Sequence, residues 1–250
     1  MVAVMGMEAR AGDQMARRTE GAPERIPAGE AAQHDRVHIP EPMMFDLVRE
    51  LGARRGETEA NVLAQFPLDH QDSRAIEWAP EIERAIFDNV ALELELPFMD
   101  GTLEAYKAAA QVTFGRANGP RFIHGSQLIV EKVRGKDQVE LSALYIPGFR
   151  FNERWSTLWL IGVQSDFGDD RKHDPTFLVN ASVCLETGSH TTFGIEANYS
   201  HAGHSSDKLL LMPQAHYEPA RHWSIQFGLG AEFREEKTNG TSALRVITTF

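Results

Sequence analysis

The stretch WSIQFGLGAEFR, residues 223–234, decides the fold class because its polarity alternates without interruption. One face carries Trp223, Ile225, Phe227, Leu229, Ala231 and Phe233, and the other carries Ser224, Gln226, Gly228, Gly230, Glu232 and Arg234. Successive side chains of a β-strand point to opposite faces, so a period of two residues is typical of a strand. The stretch therefore predicts a strand with one apolar face and one polar face.

The same alternation recurs from residue 58 to the end of the chain, with turn residues between the segments. It is clear in NVALELELPF (89–98), EAYKAAAQVTFG (104–115), PTFLVNASVCLE (175–186) and TTFGIEANYS (191–200). It is weaker in RFIHGSQLIVEKV (121–133), QVELSALYIPGFRF (138–151), WSTLWLIGVQSDF (155–167) and KLLLMPQAHYEP (208–219). With the segments at 57–68, 75–87 and 241–250, the sequence predicts about twelve strands.

The predicted connections alternate between tight turns, such as Asp88–Asn89, and longer loops, such as Gly168–Pro175 and Glu235–Thr241. Long loops at one end and tight turns at the other are typical of an up-and-down barrel in an outer membrane. The predicted fold is therefore all-β, a transmembrane antiparallel up-and-down β-barrel over residues 58–250. An even strand number puts both barrel ends on the tight-turn side, which would be the periplasmic side.

Composition excludes several other classes of protein. The formal net charge of −11 argues against a nucleic-acid partner, because such proteins present basic surfaces to phosphate. A single cysteine, Cys184, allows no intrachain disulfide, and no stretch of 18 apolar residues predicts a transmembrane helix.

The residues before the barrel predict two further segments. Residues 1–38 form a polar, flexible leader without an evident secretory signal peptide. Residues 39–57 form a short amphipathic segment that could plug the lumen or pack beneath the barrel. Met44, Leu47, Val48 and Leu51 fit a helix, whereas Phe45, Leu47 and Arg49 fit a strand.

The C-terminal segment places Leu244, Val246, Thr248 and Phe250 on one face. It resembles the terminal strand of bacterial outer-membrane β-barrel proteins, which ends in Phe and is recognised by the barrel-assembly machinery. The resemblance implies an assembly signal at Leu244, Val246 and Phe250, with Thr248 a departure from the pattern.

Three longer phrases extend the resemblance: ALELELPF, GTLEAYKAAAQVTFG and LLLMPQAHYE are similar to stretches of uncharacterised Gram-negative outer-membrane barrels. The family resemblance implies a location in the bacterial outer membrane. The partners it implies are outer-membrane lipids, lipopolysaccharide and the barrel-assembly machinery.

Alternation alone does not tell which face of the sheet is rolled inward, and a soluble barrel with an apolar interior is the alternative. Two observations favour a polar interior. The polar faces carry Gly, Ser, Asn and Gln, and aromatic residues stand near strand ends, as in an aromatic belt. These aromatic residues are Trp155, Trp223, Tyr199, Tyr217, Phe98 and Phe114.

Charged side chains on the polar faces are the candidate lumen-lining residues: Glu81, Glu83, Glu93, Glu95, Lys107, Glu196, Glu232 and Arg234. They predict a cation-attracting constriction. The alternative is a closed barrel in which the carboxylates pair with Lys107, Arg234 and Arg245 to fill the space. We expect no metal and no cofactor, because the His- and Asp-containing loops at 201–207 and 169–174 have no recognised ligand spacing. We expect no catalytic residue, because His124 and Ser126 share a strand face that could point to lipid and no base oriented by a third group is marked.

These observations predict a narrow passive pore for small solutes. One alternative is a non-conducting barrel that anchors or binds at the envelope, with residues 1–57 as a periplasmic arm. A third, a lipid-modifying enzyme, would need a nucleophile and a base that the sequence does not mark.

Overall fold

β-Strands make up all the regular structure in the residues that the computed structural model describes, which are 37–45, 47–68, 75–117, 121–168, 174–203, 207–235 and 237–250. The strands are β1 (Thr58–Pro67), β2 (Glu77–Phe87), β3 (Val90–Glu95), β4 (Phe98–Met99), β5 (Thr102–Leu103), β6 (Ala105–Ala117), β7 (Phe122–Val133), β8 (Val139–Arg150), β9 (Trp155–Phe167), β10 (Thr176–Glu186), β11 (Thr191–Ala202), β12 (Lys208–Ala220), β13 (Trp223–Arg234) and β14 (Lys237–Thr249). No helix in these residues is long and apolar enough to cross a membrane.

Twelve long strands form one closed antiparallel barrel, as the sequence predicted. Each strand pairs with its neighbour in sequence, and β1 closes the ring by pairing with both β2 and β14. The short strands β4 and β5 form a small hairpin that extends β2 beyond the end of β3. At the seam, the backbone N–H of Phe250 donates to the carbonyl oxygen of Thr58 over 2.9 Å.

The apolar faces of the strands point outward, which confirms the predicted orientation of the sheet. On β13, Phe227 and Leu229 are 53% and 54% exposed, whereas Gln226, which precedes Phe227 and belongs to the opposite face, is 2% exposed. On β3, Leu94 is 63% exposed and the adjacent Glu93 only 2%. A closed sheet with an apolar exterior satisfies its backbone in lipid without leaving an edge, so this barrel is built to span a membrane.

The two ends of the barrel differ in their connections. We call the end with Asp88–Asn89 and the C-terminus the turn end, and the opposite end the loop end. The predicted long connection Glu235–Thr241 is wrong, because Lys237 already pairs with Arg234 and the ladder continues to Thr248. Polar residues extend this hairpin beyond the apolar belt. Side-chain polarity marks where the belt ends, but not where the backbone hydrogen bonds end.

An irregular stretch occupies the interior of the barrel. We call it the lumen segment, residues 37–45 and 47–53. It is neither the helix nor the strand that the sequence suggested. It belongs to the same compact unit as the barrel, Arg36–Phe250. Residues 1–36, which cover nearly all of the predicted leader, lie outside the described residues.

One side of the barrel wall is apolar on its inner face, where the lumen segment packs. Val37, Ile39, Phe45, Leu47 and Leu51 form a buried cluster with wall residues of β7, β8 and β9. These wall residues are Ile123, Leu144, Ile146, Leu158 and Leu160. Met43 packs in a second cluster with Leu210 and Met212 of β12. The four strands with the weaker alternation thus supply the large apolar side chains that pack against the segment, while Ala91 of β3 and Ala109 of β6 pack against Val48.

Gly148 and Gly228 are among the wall glycines that lie directly against the lumen segment. A Cβ atom at Gly148 would lie 2.5 Å from Cδ1 of Ile39. A Cβ atom at Gly228 would collide with Cε of Met43 and with Sδ of Met212. The missing side chains at these two positions leave room for the segment.

We predict that Phe227→Arg in the middle of β13 destabilises the folded barrel by about 2–4 kcal/mol, because it moves a charge into the centre of the apolar belt. The same substitution at Phe233, near the strand end, should cost less than about 1 kcal/mol. Urea unfolding in phospholipid vesicles measures both values. Equal losses at the two positions would contradict the assignment of this face to lipid.

Candidate functional site

The tip of the lumen segment is held by one carboxylate of the wall, that of Glu196 on β11. The backbone N–H groups of Met43, Met44 and Phe45 donate to its oxygens over 2.9, 3.0 and 2.7 Å. The amide of Asn198 donates to the same carboxylate over 3.0 Å. Glu196 is fully buried. These charge-assisted hydrogen bonds supply the partners that an irregular backbone inside a barrel otherwise lacks.

Further wall side chains bond the returning part of the segment. Gln111 donates from its amide to the carbonyl oxygen of Arg49 over 2.6 Å. The backbone N–H of Gly52 donates to Oγ1 of Thr113 over 2.9 Å. Each of these wall side chains thus forms a hydrogen bond with one backbone group along the path of the segment.

Arg245 on β14 is the centre of a buried ionic cluster beside the segment. Its guanidinium lies 2.8 Å from Glu81, 3.1 Å from Glu41 and 3.7 Å from Glu83. It also donates to the carbonyl oxygen of Pro42 over 3.2 Å. Arg245 therefore joins the lumen segment to β2 and β14.

Two other bases complete the cluster. Arg49 of the segment forms an ion pair with Glu59 of β1 and lies 4.0 Å from Glu83. Lys107 of β6 forms an ion pair with Glu95 and lies 3.9 Å from Glu93. The cluster contains six carboxylates, those of Glu41, Glu59, Glu81, Glu83, Glu93 and Glu95, and three bases, Arg49, Lys107 and Arg245.

The structure divides the predicted lumen-lining residues into three groups, all on the polar faces of their strands. Glu81, Glu83, Glu93, Glu95 and Lys107 meet in the cluster, whereas Glu196 holds the tip of the segment. Glu232 and Arg234 form a separate ion pair of 2.5 Å at the loop end. Their role in conduction, and that of Leu244, Val246 and Phe250 in assembly, stays a prediction.

Sequence reasoning missed Glu41, Arg49 and Glu59 as members of the site. Glu59 and Asn61 do stand on the polar face of β1, and both are buried. That alternation was the available signal for Glu59. Glu41 and Arg49 carried no such signal, because their segment has no regular period.

One cavity lies on each side of the lumen segment. The turn-end cavity has a volume of about 360 Å³ and is lined by Glu41, Arg49, Glu59 and residues of the turns near His190 and His222. The loop-end cavity has a volume of about 580 Å³ and reaches Met44 and Phe45 at the tip of the segment. Its other lining residues include Lys107, Glu131, Glu140, Gln164, Asn180, Asn198, Lys208, Glu232 and Arg234.

A cluster at the turn end fixes the beginning of the lumen segment. His38 lies 2.8 Å from Glu50 and 3.7 Å from Glu186, and Arg150 donates to its carbonyl oxygen over 2.6 Å. The negative charge of Glu50, with a smaller contribution from Glu186, raises the pKa of His38 to about 9. The imidazole is therefore charged at neutral pH.

His124 and Ser126 alternate with buried Ile123, Gly125 and Gln127, so they lie on the outward face of β7. His124 stands among aromatic rings of that face and lies 3.1 Å from the hydroxyl of Tyr145. The pair faces away from the lumen.

The fold and the lumen together define a closed antiparallel β-barrel, apolar on its outside, whose interior holds a segment of its own chain. The chain belongs to the HAEPLYID-like family, whose model matches residues 35–249. A comparison with curated protein sequences finds no match.

Two solved structures show the same barrel fold. The KdgM porin in complex with disordered oligogalacturonate has a TM-score of 0.60 and 9% identity, over 77% of this chain and 99% of that chain. The NanC porin has a TM-score of 0.60 and 8% identity, over 76% of this chain and 100% of that chain. At such low identity the likeness concerns the fold.

We predict that Arg245→Met lowers the free energy of unfolding by about 3–5 kcal/mol, because it leaves buried carboxylates without their guanidinium. The matched control is Arg234→Met, which removes a base whose side chain is 52% exposed and should cost less than about 1 kcal/mol. Urea unfolding in detergent micelles measures both. Similar losses would show that the cluster does not depend on Arg245.

We also predict that the imidazole of His38 titrates near pH 9 in the folded protein. Because the folded pKa exceeds the ordinary value of 6.5, the stabilisation is complete below pH 6.5 and is lost as the pH rises through 9. NMR of histidine-labelled protein measures the pKa, and His38→Gln assigns the signal. Glu50→Gln should return the pKa toward 6.5, whereas Glu218→Gln should not change it.

Proposed function

We propose that this protein is a bacterial outer-membrane pore for small solutes and that the lumen segment is its plug. The observation that carries the proposal is the pair of cavities, about 360 and 580 Å³, separated by the segment. Both are lined by polar side chains of the wall alongside apolar ones. Moving the segment aside would join them into one passage through the barrel, with charged side chains along one side of the wall and apolar ones along the other.

The contacts between segment and wall favour a closed resting state. Five apolar side chains of the segment are buried in one cluster, and their burial is worth on the order of 10 kcal/mol. Thermal energy alone does not displace a segment held this firmly. Opening therefore requires a pull on the segment or a partner that binds it in the displaced state.

The polar contacts make such opening physically possible. The N–H groups bound to Glu196 and the ion pairs of Arg49 with the wall can exchange their partners for water. A wall with Gln111, Gln127 and Gln226 on its inner face stays wettable after the segment leaves. The passive pore expected from the sequence thus becomes a pore that is closed at rest.

Charge favours small cations as the permeating solutes. The inner wall carries Glu59, Glu81, Glu83, Glu93, Glu95 and Glu196, with Lys107 and Arg245 as bases beside them. An excess of carboxylates in a narrow passage concentrates cations and excludes anions. The KdgM porin was solved with oligogalacturonate, a polyanion, and the charge of this wall disfavours that class of solute.

The non-conducting barrel remains the second candidate, and the large apolar contact of the segment favours it. In that case the segment is a permanent core. Its displacement would unfold the barrel rather than open a passage.

We predict that the full chain conducts little in planar bilayers, whereas a variant lacking residues 1–53 shows cation-selective steps. A salt gradient across the bilayer gives the selectivity from the reversal potential. The change in gel mobility on heating controls for folding of the variant.

A second measurement uses Cys184, which is the single cysteine of the chain and is buried on the inner face of β10. A membrane-impermeant thiol reagent should not label it in the full chain and should label it in the folded deletion variant. A folded variant that neither conducts nor exposes Cys184 would contradict the pore and favour the non-conducting barrel.

A further inference from the structure

We propose that Glu41 of the lumen segment, together with Glu59 of β1 and Glu83 of β2, binds one Ca²⁺ ion that fastens the segment to the wall. The contacts inside the barrel are the observations that support the site. Its effect on opening rests on the proposed function.

The three carboxylates are close enough to share one ion. One oxygen from each lies within 4.8 Å of the oxygens of the other two. Oxygen ligands of Ca²⁺ stand about 2.3–2.6 Å from the metal, so two ligands of one ion are at most about 5 Å apart. The spacing in the triad meets this limit.

The triad also contains buried oxygens that have no hydrogen-bond partner among the described residues. These are Oε1 of Glu41, Oε1 of Glu59 and Oε2 of Glu83. The side chains of Glu59 and Glu83 are 5% and 0% exposed. A buried carboxylate oxygen without a partner is costly, and a bound cation removes that cost.

The arginines around the triad leave these oxygens available. Arg49 pairs with the other oxygen of Glu59, Oε2, and Arg245 lies 3.7 Å from the other oxygen of Glu83, Oε1. Arg49 remains 4.0 Å from Oε2 of Glu83. Arg245 is 3.1 Å from Oε1 of Glu41 without a hydrogen bond of acceptable geometry.

Charge balance points the same way. Six carboxyl groups of the cluster face three bases among the described residues, so the carboxyls outnumber the bases by two to one. Buried carboxylates need a compensating charge, and the described part of the chain supplies only half of it. A divalent ion supplies most of the remainder.

A second triad, Glu81, Glu93 and Glu95, is the weaker position. Its buried oxygens without a hydrogen-bond partner both belong to Glu93, and Lys107 forms an ion pair with Glu95. In the Glu41 triad each of the three carboxylates offers one such oxygen, although Arg49 and Arg245 lie beside it. It also borders the turn-end cavity through Glu41 and Glu59, which gives an ion a way in.

The donor set selects the class of ion. Carboxylate oxygens are hard ligands, which suit Ca²⁺ and Mg²⁺ rather than zinc or copper. Three carboxylates from separate segments do not form an octahedron, and Ca²⁺ tolerates irregular geometry better than Mg²⁺. Because one ligand comes from the lumen segment, the bound ion stabilises the seated segment by mass action.

The test is equilibrium dialysis of the full chain, folded in detergent micelles without lipopolysaccharide, against ⁴⁵Ca²⁺. We expect saturable binding of one ion per chain. Glu83→Gln and Glu59→Gln should each raise the Kd by about tenfold or more, since even the loss of an outer partner of a ligand has an effect of this size. Both variants lower the excess charge and should fold, which the heat shift on a gel checks.

The matched control is Glu93→Gln, which neutralises a buried carboxylate of the second triad and should leave the Kd within about twofold of the full chain, as expected for a site that shares no ligand. No saturable binding would overturn the proposal. So would a loss of binding in Glu93→Gln with retention in Glu83→Gln. The dialysis does not depend on conductance, so this proposal and the pore can fail separately.

Discussion

The structure depends on one constraint: a backbone buried inside a barrel must find its hydrogen-bond partners on the wall. A strand forms its backbone hydrogen bonds with the adjacent strands of the sheet, but the lumen segment is not part of a sheet. Glu196, Gln111 and Thr113 therefore provide partners for individual N–H and C=O groups. This need explains why the inner face is polar in a barrel whose outer face must be apolar for lipid.

The inner wall has two sides of different chemistry. Strands β7, β8, β9 and β12 present large apolar side chains to the segment, whereas β1, β2, β3, β6 and β14 present charged side chains together with small apolar ones such as Ala91, Ala109 and Ala243. The charged side includes the seam between β1 and β14. There Arg245 reaches Asn61 on β1 and Glu81 on β2, so the cluster joins the strands that close the barrel. One set of charges thus holds both the seam and the segment.

Much of the fold could be predicted because a strand has a strict period. The alternation in residues 223–234 gave the type of element, and the clustering of aromatic residues at strand ends gave the inward direction of the polar face. The lumen segment could not be predicted in the same way. The helix interpretation assumed hydrogen bonds within the segment and the strand interpretation assumed hydrogen bonds to a neighbouring strand, whereas its real partners are side chains far away in the sequence.

The site was predictable in part for the same reason. The carboxylates of β2 and β3 were found because they alternate with apolar residues. Their pairing with Lys107 and Arg245 is the closed-barrel alternative that the sequence offered, whereas the pairing of Glu59 with Arg49 depends on the path of the segment, which no local pattern encodes. The irregular alternation of β7, β8, β9 and β12 was a usable signal, since an apolar inner face requires something apolar to cover it.

The absence of side chains at Gly148 and Gly228 has a consequence for how such a protein can vary. Each hollow in the wall matches one projection of the segment, Ile39 or Met43. A larger side chain in the wall at one of these glycines would require a smaller side chain at the facing position of the segment. We therefore expect the wall positions and the segment positions to change together in related proteins. A lumen segment taken from a relative whose wall has side chains at these positions would pack poorly in this barrel, even if the two barrels had the same strands.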